Sequence, residues 1–172
     1  MSTLTTPQEV LAIVQIPDAV MHKLPQDAFT LVLDNIQDPG NLGTIVRTAD
    51  WFGFKQLICS YDTVDVYNPK VVQASMGSLA RMQISYVDLP SLLKNCSLPV
   101  YGALLNGVSI NETDFPKAGV LILGNEGNGI RDVVQKYIQH AVTIPRYGGA
   151  ESLNVAISAG IFCMGIKKSL NN

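Results

Sequence analysis

A chain of 172 residues with 47% hydrophobic and 15% charged side chains is long enough for one full core without disulfides or metals, and leaves so little polar residue to cover a monomer's surface that burial in an oligomer is expected. Its formal net charge of −2 gives no global footprint of a nucleic-acid binder, while three scattered cysteines and two histidines leave no raw material for a disulfide framework, a metal centre or a Ser/His/Asp triad. No apolar run is long and unbroken enough for a membrane span, and no charged stretch followed by an apolar one opens the chain, so cytoplasm is the expected compartment and no membrane the expected partner.

In chain order, residues 1–27 are broken by Pro7, Pro17 and Pro25 and read as a lead-in or linker with one short element at most. The domain proper is expected over residues 28–170. It opens with a strand at Thr30–Leu33 and a helix at Leu42–Phe52 that Asn41 can cap. A strand at Gln56–Cys59 leads to a helix at Pro69–Ser75, where Asn68 and Pro69 form an N-cap and first-turn pair. A strand at Gln83–Tyr86 is followed by a helix at Leu89–Asn95 behind the cap Asp88. Strands at Val100–Ala103 and Val120–Leu123 come next, then a helix at Ile130–Tyr137, a strand at Ala141–Ile144 and a helix at Ser152–Lys167. Short β-branched runs alternating with helical stretches predict an α/β fold with a mostly parallel sheet flanked by helices.

Three clusters carry candidate chemistry. After the first strand, Asp38, Pro39 and Gly40 form a turn running into a helix that bears Asn41, Gly43 and Arg47. This sets an amide and a guanidinium near the carboxyl edge of the sheet, where ligands bind in open α/β folds; a capped helix with a solvated arginine is the plainer account. The second cluster, Leu123 to Ile130, breaks a buried strand into a loop with Gly124, Gly127 and Gly129, whose backbone can approach a ligand closely. The order of glycines is neither a dinucleotide fingerprint nor a P-loop, and Glu126 would repel a phosphate, so a neutral or cationic ligand fits better; a bare glycine turn is the alternative. In the third, Ile144 and Pro145 lead through Arg146, Tyr147, Gly148 and Gly149 to Glu151, Ser152, Leu153 and Asn154 at a helix start. Capping accounts for Ser152 but not for the charged, glycine-rich loop before it.

Taken in order, Asn41, Gly43 and Arg47, then Gly124 to Gly127, then Ile144 and Pro145 with Ser152 to Val155 resemble motifs one, two and three of the SpoU (TrmH-like) branch of the SPOUT RNA methyltransferases. The similarity runs from about Phe29 to Lys168 and includes Ala74 to Gly77. The resemblance implies a sheet whose C-terminal part is threaded into a deep trefoil knot, an arrangement no periodicity reveals. It implies S-adenosylmethionine as cofactor, enclosed by Leu105, Asn106, Gly107, Leu123, Gly124, Asn125, Glu126, Gly127, Ile144, Leu153 and Asn154, with no metal. It further implies transfer of the cofactor's methyl group to a ribose 2′-hydroxyl in transfer or ribosomal RNA. Arg47 would act on that hydroxyl, with Asn41, Glu126, Ser152 and Asn154 around it. A guanidinium is a poor proton acceptor, which favours an orienting and charge-stabilising role for Arg47.

The resemblance also implies a homodimer through the C-terminal helix, with which an apolar face of Val155, Ala159, Phe162 and Ile166 agrees. Because the chain is acidic, RNA would be met by a local rim of Arg47, Lys70, Arg81 and Arg146, or by an N-terminal RNA-binding domain of the kind related enzymes often carry. Two other readings stand beside the enzyme: a non-catalytic dimeric RNA- or cofactor-binding module on the same fold, and a nucleotide-dependent oxidoreductase. The latter would need a glycine fingerprint after the first strand, where Asp38 to Asn41 stand instead.

Overall fold

A computed structural model describes residues 13–16 and 23–170. Of the lead-in, residues 13–16 and 23–27 carry no helix or strand, and the rest of it lies outside the described residues. The elements are β1 (Phe29–Asp34), α1 (Pro39–Trp51), β2 (Gln56–Ser60), α2 (Pro69–Ser75), β3 (Gln83–Val87), α3 (Leu89–Lys94), β4 (Val100–Ser109), β5 (Gly119–Gly124), α4 (Asp132–Gln135), β6 (His140–Thr143) and α5 (Val155–Leu170), with single 3₁₀ turns at Ser78–Arg81 and Ile110–Glu112. Six strands form one sheet in the order β3-β2-β1-β5-β4-β6, and every neighbouring pair is parallel.

The strands are apolar on both sides because both faces are covered. Leu31, Leu33, Leu57, Cys59, Leu121 and Leu123 point to one face, where they meet Leu42, Ile45, Val46 and Ala49 of α1, Val71 of α2, and Val155, Ala156, Ala159, Phe162, Cys163 and Ile166 of α5. The alternate residues Val32, Ile58, Val120 and Ile122 turn to the other face, against Leu89 and Leu93 of α3 and Val134 of α4. Each fully buried leucine or isoleucine of this double core is worth about 1.5–3 kcal/mol of apolar transfer. Gly43 lets α1 lie close on α2: a Cβ there would stand 2.6 Å from Ala74 Cβ and 2.7 Å from the Val71 carbonyl.

Several boundaries differ from the sequence reading. Helix α1 begins at Pro39, not Leu42, and its cap is Asp38, whose Oδ1 accepts from the Asn41 N–H at 2.7 Å. Proline at the first helical position with an acidic cap before it outcompetes the later asparagine. Helix α5 starts at Val155, and its N-terminal N–H groups on Ala156 and Ile157 bond to Asn154 Oδ1 at 2.9 and 3.3 Å, so Asn154 and not Ser152 is the cap. Helix α4 is a single turn rather than the span Ile130–Tyr137. Strand β4 runs to Ser109, six residues past its predicted end, because it pairs with β6 on both sides of an irregularity between Ala103 and Val108.

The apolar face assigned to a partner chain is also revised. Val155, Ala159, Phe162 and Ile166 are all buried within the chain, packed on α1 and the sheet. Helix α5 carries apolar residues on its outer side as well, at Ile157, Ile161 and Met164, and the stripe of Val155, Ala159, Phe162 and Ile166 is the intramolecular one.

Candidate functional site

Parallel register decides which loops meet. Asp34 at the end of β1 pairs with Gly124 at the end of β5, so the loop entering α1 and the glycine turn leave the sheet side by side at its carboxyl edge. Three polar side chains then join three loops. Asn41, in the first turn of α1, donates through Nδ2 to a carboxylate oxygen of Glu126. Its Oδ1 accepts from Asn154 Nδ2 at 3.0 Å, across 113 positions of sequence. Because Asp38 satisfies the helix end, Asn41 is released for this bridge, and Asn154 serves it with one end of its amide while capping α5 with the other.

The turn that presents Glu126 is built by its neighbours. Asn125 and Gly129 exchange backbone hydrogen bonds at 3.0 and 2.9 Å, and Asn125 Oδ1 accepts from the N–H groups of Gly127 and Asn128 at 2.8 and 3.2 Å. Gly129 has φ +67°, a conformation side chains disfavour. Gly124 lies so close to Gly129 and Ile130 that a Cβ would fall 2.3 Å from the Gly129 carbonyl carbon. Asn125 Nδ2 also donates to the Asn35 carbonyl at 3.0 Å, tying the turn to the end of β1.

A second group sits where β4 and β6 part. Leu105, Asn106 and Gly107 form the irregular stretch of β4, and the Thr143 hydroxyl, next to Ile144, donates to the Leu105 carbonyl at 3.1 Å. Gly107 is obligatory in space, since a Cβ would lie 2.5 Å from the Ala141 carbonyl oxygen. Leu105 is 76% exposed and Leu153 47%, which leaves two large apolar side chains uncovered near the same edge. Ile144 packs partly into the core.

Not every predicted residue joins these groups. Arg47 is exposed on α1, almost two turns beyond Asn41, and makes no hydrogen bond or ion pair among the described residues. Ser152 is likewise exposed and outside the Asn41 bridge. Of the proposed basic rim, Arg81 is engaged with Asp50 at 2.6 Å, which lowers the Asp50 carboxyl below its ordinary value. Arg146 reaches the Ala150 carbonyl at 3.4 Å. Two recesses lie away from the bridge. One of about 500 Å³ sits at the amino edge between Phe29, Phe54, Lys117 and Lys167; the other, of about 570 Å³, lies between β4 and β6 and shares only Gly107 with the predicted cradle. Both recesses have polar lining of their own, but neither contains Asn41, Glu126 or Asn154, the side chains that converge from the three candidate loops.

Sequence reasoning missed one feature of the site altogether: the buried Asp34, which holds Arg131 at 2.6 Å. A lone Asp ending a strand and a lone Arg after a turn are 97 positions apart, and only the register reveals the pair.

The donor set fits a cationic ligand with an apolar body. Glu126 is the only charged residue between Leu123 and Ile130, and a carboxylate there suits a sulfonium or ammonium group and disfavours phosphate. The uncovered Leu105 and Leu153 offer apolar surface for a base.

Comparison with known proteins identifies the family. Residues 28–164 match the model of the SpoU rRNA Methylase family. The chain is 38% identical over 160 residues to the 23S rRNA (guanosine(2553)-2′-O)-methyltransferase RlmP of Bacillus subtilis, covering 91% of this chain and 63% of that protein. It is 43% identical to a solved structure from Porphyromonas gingivalis assigned to the TrmH family of RNA methyltransferases, with a TM-score of 0.90 over 97% of this chain and 69% of the other. A structure of an rRNA methyltransferase from Sinorhizobium meliloti with bound AdoMet is 33% identical, with a TM-score of 0.81 over 86% of this chain and 59% of the other.

Proposed function

Because this chain belongs to the SpoU rRNA Methylase family, we propose that it catalyses transfer of a methyl group from S-adenosylmethionine to a ribose 2′-hydroxyl of ribosomal or transfer RNA. The observation that carries the reading is the Asn41 bridge, which draws Glu126 and Asn154 from two distant loops to one point. A scaffold has no need to spend three polar side chains on an exposed edge in this way, since surface hydrogen bonds contribute little to stability.

The cofactor supplies, when bound, a methyl group activated on a sulfonium. The chain's own residues hold and orient. Leu123 to Gly127 and Leu105 to Gly107 would line the cofactor with backbone groups that glycine leaves accessible, and Ile144, Leu153 and Asn154 would close its other side. Glu126, fixed by Asn41, would face the cationic end. Arg47, which has no other partner among the described residues, would orient the ribose hydroxyl and stabilise the alkoxide as its proton departs, and Ser152 would add a polar contact from the third loop. The trefoil knot belongs to this same reading, as does a cytoplasmic site of action. No helix among the described residues is long and apolar enough to cross a membrane.

The functional unit we propose is a dimer paired on the outer stripe of α5. Ile157 is 54% exposed and Met164 57%, with Ile161 between them, one and two turns apart on the face opposite the core. The chain spans 63% of the length of its Bacillus subtilis relative, and RNA capture by a further domain is part of the proposal.

The test is incubation of the chain with methyl-labelled cofactor and ribosomal or transfer RNA, with recovery of 2′-O-methyl nucleosides. Arg47→Ala is expected to abolish transfer while S-adenosylhomocysteine binding stays within about twofold, as for a residue acting only in the transition state. Unchanged turnover would exclude the role given to Arg47, and cofactor binding without transfer by the unaltered chain, at RNA concentrations that saturate it, would make it a binding module.

A further inference from the structure

The glycine turn is gripped from behind by a guanidinium. Arg131 follows Gly129 by two residues and fastens to Asp34 three times: its backbone N–H to Oδ2 at 2.8 Å, Nε to Oδ1 at 2.8 Å and Nη2 to Oδ1 at 2.6 Å. Asp34 is fully buried, so this fork satisfies a charge that water cannot reach. The remaining arm, Nη1, meets the exposed carboxylate of Asp62 in the loop after β2 at 2.5 Å. One side chain thereby links the end of β1 and the far end of the glycine turn to the loop beyond β2.

The turn is clamped at both its ends to Asp34, the last residue of β1, and to Asn35, the residue after it. At its start, Asn125 bonds to the Asn35 carbonyl; Asn35 adopts φ 59° and donates its own N–H to Ser60 Oγ at 2.9 Å. At its end, Arg131 bonds to Asp34. Only Glu126 to Ile130 lie between the clamps, and Asn41, the partner of Glu126, sits six residues beyond Asn35. Movement at either clamp changes the separation of Glu126 and Asn41. A buried ion pair adds little net stability over an apolar pair of the same shape, whereas a planar guanidinium fixed at several points imposes direction.

We propose that Arg131 is a positioning residue of the candidate site, whose fork onto Asp34 sets the height of the Gly124–Gly129 turn and hence the reach of Glu126. The inference rests on the reading of that turn as part of the cofactor site.

The experiment compares the full chain with Arg131→Lys, which keeps the charge and loses the planar fork, and with the pair Asp34→Asn plus Arg131→Gln, which strands no buried charge. Amide exchange is followed by NMR at Asn125 and Gly129, which bond across the turn, and at Leu57 and Ile58 in β2. S-adenosylhomocysteine affinity is measured on the same samples. Both variants are expected to speed exchange in the turn by about tenfold more than in β2, and to weaken the ligand by about tenfold. Equal acceleration in both places, an unaltered turn, or full rescue by lysine overturns the proposal. If the unaltered chain binds no S-adenosylhomocysteine, the cofactor reading falls, and the exchange pattern still decides the role of Arg131.

Discussion

Asp38 and Asn41 stand three residues apart at one helix end and should fail in opposite ways. Asp38 Oδ1 caps α1 at 2.7 Å, and replacing such a cap by alanine costs about 1 kcal/mol. For a domain of this size that is a loss of about 2–4 °C in Tm. Asn41 contributes no cap; among the described residues its side chain bonds to Glu126 and Asn154 alone, on an edge open to water. Asn41→Ala should therefore lower Tm by less than Asp38→Ala. Transfer should suffer more, because one severed bond is to a carboxylate and the other holds the third loop. With Glu126 and the third loop no longer held in place, kcat/KM should fall about 10- to 100-fold, as misplacement of a positioned group does. Thermal unfolding and single-turnover methylation of both variants decide the matter. If Asn41→Ala loses stability and keeps its rate while Asp38→Ala does the reverse, the bridge is a structural fastening and the reasoning fails.

Gly107→Ala should drive β4 from β6, since the added Cβ would meet the Ala141 carbonyl at 2.5 Å; a loss of about 1–3 kcal/mol in denaturant unfolding is expected, with weaker S-adenosylhomocysteine binding by calorimetry. The Asp50 carboxyl, lowered chiefly by its hydrogen bond to Arg81, stabilises the fold above about pH 4, and this contribution disappears as pH falls through the lowered value. The Tm advantage of the unaltered chain over Asp50→Asn, small because the pair is exposed, should accordingly vanish between about pH 5 and 2 in a thermal scan series. Ile157→Glu with Met164→Glu should convert a dimer to a monomer in sedimentation equilibrium while leaving the monomer's far-UV circular dichroism intact, because both side chains face away from the core.

Residues with local meaning were legible in the sequence. The β-branched runs became strands of a parallel sheet, Asn68 and Asp88 cap α2 and α3, and the fold class follows from their alternation. What depends on distant partners was not. Nothing local distinguishes Asn41 as a bridge from Asn41 as a cap, because the choice turns on whether Asp38 takes the helix end first. Asp34 looks like any acid closing a strand until the β1–β5 register sets Arg131 beside it. Helix α5 offers two apolar stripes, and only the packing of α1 tells which is buried. The second and third motifs were visible as glycine-rich loops, yet their meeting at Asn41 is a property of the sheet order, in which β1 and β5 are neighbours though 90 positions apart.

That strand order also dictates when the molecule can come into being. Strand β1 forms a local half-sheet with β2 and β3, but its other flank stays open until residues 119–124 arrive, and the bridge from Asn41 waits for Asn154. Contacts of such span make for slow, late assembly, with the bare edge of β1 exposed to stray pairing while synthesis continues. The nascent chain thus emerges with every strand before its chemistry exists, and a stop codon just short of Asn154 would leave all six strands encoded while erasing α5 and the junction that unites the loops.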